Sequence, residues 1–168
     1  MNEGADPGYM HHLIHHEAGH AVASYISRLG FSKVTIESGL NDPWGGFLLP
    51  TERSPEGKPK AVAKEIVALM AGIAAEEQTF GNYQDGLGYS DRERAHSLAD
   101  SVTGGNSVAS AALVEKLWRQ SREMMAVPRH LRAVQALAEA LITRKTIRRT
   151  AARSIIAAAL AAAEGPIA

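Results

Sequence analysis

Between residues 9 and 29 the apolar positions Met10, Leu13, Ile14, Ala18, Ala21, Val22, Tyr25 and Ile26 recur at intervals of three and four. That is the period of an amphipathic helix with one buried face, and Gly30 marks its expected end. Residues 33–37 alternate around β-branched side chains, and Gly46-Phe47-Leu48-Leu49 follows the turn-rich stretch 39–43. Two short strands are predicted there, paired as a small antiparallel sheet. Residues 51–59, broken by Pro55, Gly57 and Pro59, read as a flexible surface loop. Helical spacing returns over residues 61–80, and the glycines of 81–88 close that helix. Ser90-Asp91-Arg92-Glu93 has the pattern of a capping box and is expected to open a third helix running to about Val102. After the break at residues 104–107, two helices over 111–125 and 129–142 are predicted, hinged at Pro128. Thr146 is the expected cap of a last, Ala-rich helix, whose end frays.

The chain has 168 residues, which predicts a single domain spanning 1–168, with residues 1–8 flexible and 147–168 as the C-terminal helix. Its Ala content and its few aromatics favour helix over sheet. Eighteen basic and eighteen acidic residues cancel, so no global field draws nucleic acid or anionic lipid, and no nucleic-acid partner is expected. With no cysteine, disulfides, thiolate metal sites and cysteine nucleophiles are excluded, which leaves His and carboxylate as metal ligands. The chain lacks an apolar run of membrane-spanning length, and its first residues lack the order of a secretion signal. A cytoplasmic protein without a membrane segment is the expectation.

His16-Glu17-Ala18-Gly19-His20 fits H-E-x-x-H. A helix sets His16 and His20 one turn apart on one face, so both imidazoles can reach one ion, with Glu17 beside them. Zinc suits such ligands, requires a third from the protein, and keeps its fourth position for water. Bound water falls to a pKa of roughly 7, and a nearby Glu can take its proton for attack on a polarised carbonyl. The plainer reading is a His-rich helix that happens to hold a Glu. His11 with His15 and His12 with His16 share the four-residue spacing, but neither pair has a Glu directly after its first His. Those extra imidazoles are expected to face solvent.

The segment from His15 to Val22 resembles the peptidase domain of FtsH-type ATP-dependent zinc metalloproteases. The likeness continues in Lys33-Val34-Thr35-Ile36, Gly45-Gly46-Phe47 and Pro50, in Ala71-Gly72-Ile73-Ala74-Ala75-Glu76-Glu77 with Phe80-Gly81, and in Gly88-Tyr89-Ser90-Asp91-Arg92-Glu93-Arg94-Ala95. Leu137 to Ile142 and Thr146 resemble the family's C-terminal helical part, so the similarity covers about residues 14–147. It implies that Asp91 is the third zinc ligand. A carboxylate in the first turn of a helix is favoured as an anion by the backbone dipole, which fits that role and equally fits a plain helix-start residue. Glu76 and Glu77 compete for the place, and Glu76 is better read as a group that orients a ligand His through its second nitrogen.

The chain departs from the family pattern in Ala71-Gly72-Ile73, where Gly-Gly-Arg is usual, and in His96, where Thr is common. It holds no Gly-rich phosphate loop, so ATP-driven unfolding is not encoded in this sequence. A homo-oligomer or a separate ATPase is the protein partner the resemblance leaves open. The cluster Arg144, Lys145, Arg148, Arg149 and Arg153 reads as a solvated face of the last helix, since no aromatics interleave it. Trp44 is expected to pack over a hairpin, and Met124 and Met125 to lie in the core.

The expectation is therefore a mainly helical α+β fold: a zincin-like H-E-x-x-H helix, a small β-sheet and a helical C-terminal half. The expected function is a zinc-dependent endopeptidase acting on unfolded or flexible polypeptides, with Glu17 as general base and an edge strand to pair with the substrate. Its rivals are a non-cleaving zinc-binding regulatory or interaction protein on the same fold, which an intact Glu17 argues against, and a hydrolase of non-peptide amides.

Overall fold

The computed structural model describes residues 7–37 and 55–162. Helix α1 (Pro7–Ile26) is followed by strand β1 (Lys33–Thr35), then by helices α2 (Pro59–Phe80), α3 (Tyr89–Thr103), α4 (Ser107–Ala126) and α5 (Pro128–Arg144). Strand β2 (Thr146–Arg148) and helix α6 (Arg149–Ala162) complete it. The protein is mainly helical α+β, and the two strands form a small antiparallel sheet. No helix among the described residues is long and apolar enough to cross a membrane.

Helix α2 is the axis of the fold. Pro59 in its first turn needs no N–H donor, and Gly81 at its end takes φ 77°, where its N–H bonds the carbonyl of Glu77. Between residues 66 and 76 all but Leu69 are buried, because α2 is covered from two directions. On one side α1, α5, α6 and the sheet bring Val22, Phe31, Val34, Leu137, Leu141, Ile147 and Ile156 into one apolar cluster. On the other, Ile66, Met70 and Ile73 pack against Leu98, Val114 and Leu117 of α3 and α4. Helices α1 and α2 approach to backbone contact. A Cβ on Gly19 would lie 2.6 Å from the Ala71 carbonyl oxygen and 2.7 Å from the Ala75 Cβ, so only glycine fits this crossing.

Several sequence expectations are corrected here. Among the described residues β1 pairs with β2, a partner the sequence did not suggest, in the register Lys33↔Arg148, Val34↔Ile147 and Thr35↔Thr146. The strand expected at residues 46–49 lies outside the described residues, as do the turn before it, Trp44 and the start of the following loop. Thr146 caps nothing: it pairs across the sheet, its hydroxyl 2.6 Å from that of Thr35, and α6 begins three residues later at Arg149. The C-terminal helix thus excludes residues 147 and 148, whose extended backbone the sheet claims. At the other end α1 already includes Pro7 and Gly8, which were expected to be flexible. Ser90 is no cap either, because α3 starts one residue earlier from Gly88, and the N–H of Arg92 bonds the Gly88 carbonyl.

Candidate metal centre

Helix α1 buries the whole motif. His16, Glu17 and His20 are 2%, 4% and 6% exposed, on the face turned toward α2. Gly72 of α2 leaves the room the rings occupy: a Cβ there would stand 2.7 Å from Cε1 of His20 and 2.8 Å from Nε2 of His16. The first turn of α3 supplies Asp91. Its Oδ2 lies 3.0 Å from Nε2 of His16 and 3.4 Å from Nε2 of His20. One ligand atom from each of the three residues falls within 4.8 Å of the others.

The outward nitrogens fix the ring protons. Nδ1 of His20 lies 2.8 Å from the carbonyl oxygen of Ala68, which can only accept, so that nitrogen carries the proton. Nδ1 of His16 lies 2.7 Å from Oε1 of Glu76 and donates to it. In the neutral rings both Nε2 atoms therefore present lone pairs to the same small space that the Asp91 carboxylate faces. Three acceptors turned on one another in a buried site demand a cation. Without a metal, a proton answers that demand. Burial works against a charged His16, yet the hydrogen bonds to Asp91 and Glu76 outweigh it and push its pKa up to about 10. His20 is also raised: burial opposes its charge, but the charge and hydrogen bond of Asp91 together with the charge of Glu17 outweigh it. Burial would raise the Asp91 carboxyl, but His20 and His16 hold it well below the usual carboxylate range.

Glu76 is fully buried and lies on the far side of His16 from Asp91, so it orients the ring. Its Oε2 accepts from His12 Nδ1 at 2.7 Å and from the backbone N–H of Gln84 at 2.9 Å. Glu77 points elsewhere and holds Arg122 through both carboxylate oxygens. The structure thus brings His16, Glu17, His20 and Asp91 together and keeps Glu77 apart. Of the extra histidines, His11 is exposed as expected. His15 is half-buried with its ring edge-on to Phe80, and burial lowers its pKa. His12 overturns the expectation. It is 8% exposed, its ring centroid is 4.3 Å from that of Phe80, and it shares Glu76 with His16. The four-residue spacing of His12 and His16 was the one signal that could have revealed this pairing.

Compared with known families and curated proteins, the chain matches no family model and no curated sequence.

Proposed function

We propose that the chain is a zinc-dependent endopeptidase of the zincin type, akin to the FtsH-type peptidase domain, in which His16, His20 and Asp91 hold the metal. The observation that supports this best is the convergence of the two imidazole Nε2 atoms and a carboxylate oxygen in one buried space, with each ring's other nitrogen already committed. The donor set fits zinc, being nitrogen and oxygen only, with three protein ligands. When bound, the ion would polarise a carbonyl and make water acidic enough to lose a proton near neutral pH. Glu17, next to His16 and 4% exposed, is the general base that takes that proton and later passes it to the leaving amine. Ala68 and Glu76 hold the rings so that the nitrogens stay aimed at one point. Substrates are polypeptide segments in an extended, unfolded form, since only such a segment exposes its backbone to a buried centre.

Two measurements test this reading. Zinc content is expected to be near one ion per chain in the wild-type protein and lost in His16→Ala, His20→Ala and Asp91→Ala. Glu17→Gln is expected to keep zinc and fold while cleaving casein at least about a hundredfold more slowly. Retention of zinc by Asp91→Ala, or undiminished cleavage by zinc-loaded Glu17→Gln, would overturn it. Zinc binding with no cleavage by the wild-type protein would favour the regulatory alternative.

A further inference from the structure

His12 stands outside the H-E-x-x-H motif and touches none of the proposed ligand atoms, yet the geometry ties it to one of them. Glu76 is a fully buried carboxylate, a group that is costly to bury unless its oxygens are well supplied with donors. Two of its donors are imidazoles from one face of α1: His16 to Oε1 and His12 to Oε2, both at 2.7 Å. The third is the N–H of Gln84, just past the end of α2. Each oxygen thus has a separate histidine, and the plane of the carboxylate is set by both. The aromatic face of Phe80 closes over the His12 ring and leaves it 8% exposed.

We propose that His12 is a positioning residue for the metal centre, holding Glu76 so that it in turn fixes the His16 ring. Loss of the His12 donor leaves Oε2 with the Gln84 N–H alone and lets the carboxylate rotate. His16 then loses the alignment of its Nδ1 hydrogen bond and, with it, the aim of Nε2. Groups behind a ligand histidine typically govern metal affinity by about 10- to 100-fold. This inference rests on the proposed zinc site, and the two are separable by experiment.

The test compares two variants of His12. His12→Asn keeps a nitrogen donor at the position of Nδ1 and removes the ring that packs on Phe80. His12→Phe keeps a ring and removes the donor. Zinc affinity is read by competition with a chromophoric chelator, and the visible spectrum of the cobalt-loaded protein reports the ligand field. His12→Phe is expected to bind zinc about 10- to 100-fold more weakly with an altered cobalt spectrum, while His12→Asn stays within about threefold of wild type. Should His12→Phe not fold, His12→Asn alone decides, because a merely structural role for the ring would lower its affinity too. Wild-type affinity in folded His12→Phe, or a loss in His12→Asn as large as that in His12→Phe, would overturn the inference. His16→Ala distinguishes the two failures. If it binds zinc as the wild type does, the metal site itself is wrong. If it abolishes binding while His12→Phe leaves it unchanged, only the role of His12 falls.

Discussion

At Gly72 a missing side chain admits two others. Both imidazoles lie where its Cβ would be, and neither can yield, since Ala68 and Glu76 hold their far nitrogens. Gly72→Ala gains about 1 kcal/mol of helix propensity but forces the rings off their hydrogen bonds, so the variant is expected to lose both some stability and zinc affinity. Equilibrium dialysis beside circular dichroism checks this, and unchanged affinity would refute it. The same residues make stability depend on pH. His16 rises on folding from 6.5 to about 10, so the metal-free protein has its full contribution below pH 6.5 and loses it as pH climbs through about 10. Asp91 is lowered from 3.8, so its contribution is present above that value and fades as pH falls below it. Chelator-treated protein is expected to melt progressively lower from pH 7 to 10, and zinc to remove that slope because it displaces the proton. A flat Tm in the chelated protein would contradict it. Of the site, His16, Glu17 and His20 were legible because their spacing is local. Glu76 was legible as the group behind a ligand His, and its bond to Nδ1 of His16 bears that out, whereas which His it serves depends on packing alone. His12 escaped because its partner is 64 residues away.

Helices were legible where an apolar stripe ran for several turns, as in α1 and α2, whereas their ends depended on single hydrogen bonds. Ser90 with Glu93 has the letters of a capping box, but Glu93 accepts from the hydroxyl of Tyr89, the first residue of the helix, and Gly88 stands at the N-cap. Asn106, by contrast, caps α4 by accepting from the N–H of Ala109 at 2.9 Å. Asn106→Ala is therefore expected to cost about 1 kcal/mol and Ser90→Ala less than about 0.5 kcal/mol. Urea unfolding of both would show it, and equal losses would not be compatible with these caps. Strand β2 was illegible for another reason. Thr146-Ile147-Arg148 is too short for alternation to register, and its partner lies at the other end of the sequence.

Across the whole molecule, equal numbers of opposite charges conceal an uneven distribution. The basic cluster is not confined to the last helix: Arg144 ends α5, Arg148 lies in β2 opposite Lys33, and Arg149 and Arg153 belong to α6. All are exposed, and the guanidinium of Arg153 stacks over Tyr25 of α1 at 4.9 Å. This basic end is also where the chain closes on itself. Beyond the strand pairs, the N–H of Ile36 bonds the carbonyl of Lys145, and that of Arg149 bonds the carbonyl of Ser32.

That closure has a consequence in time. A chain emerging from the ribosome N-terminus first has released every proposed zinc-binding side chain once residue 91 is out. The surface on which α1 lies, however, includes Val134, Leu137, Leu141, Ile147 and Ile156. Until those arrive, α1 has one face against α2 and the other in water, and a helix packed on one side only frays at little cost. A nascent chain is thus expected to hold its histidines without a stable centre, so that the proposed cleavage would have to wait for α5 and α6. In ribosome-bound chains arrested at increasing lengths, α1 should resist proteolysis only after Ile156 has left the exit tunnel. Resistance before α5 has emerged would show that the centre forms without this closure.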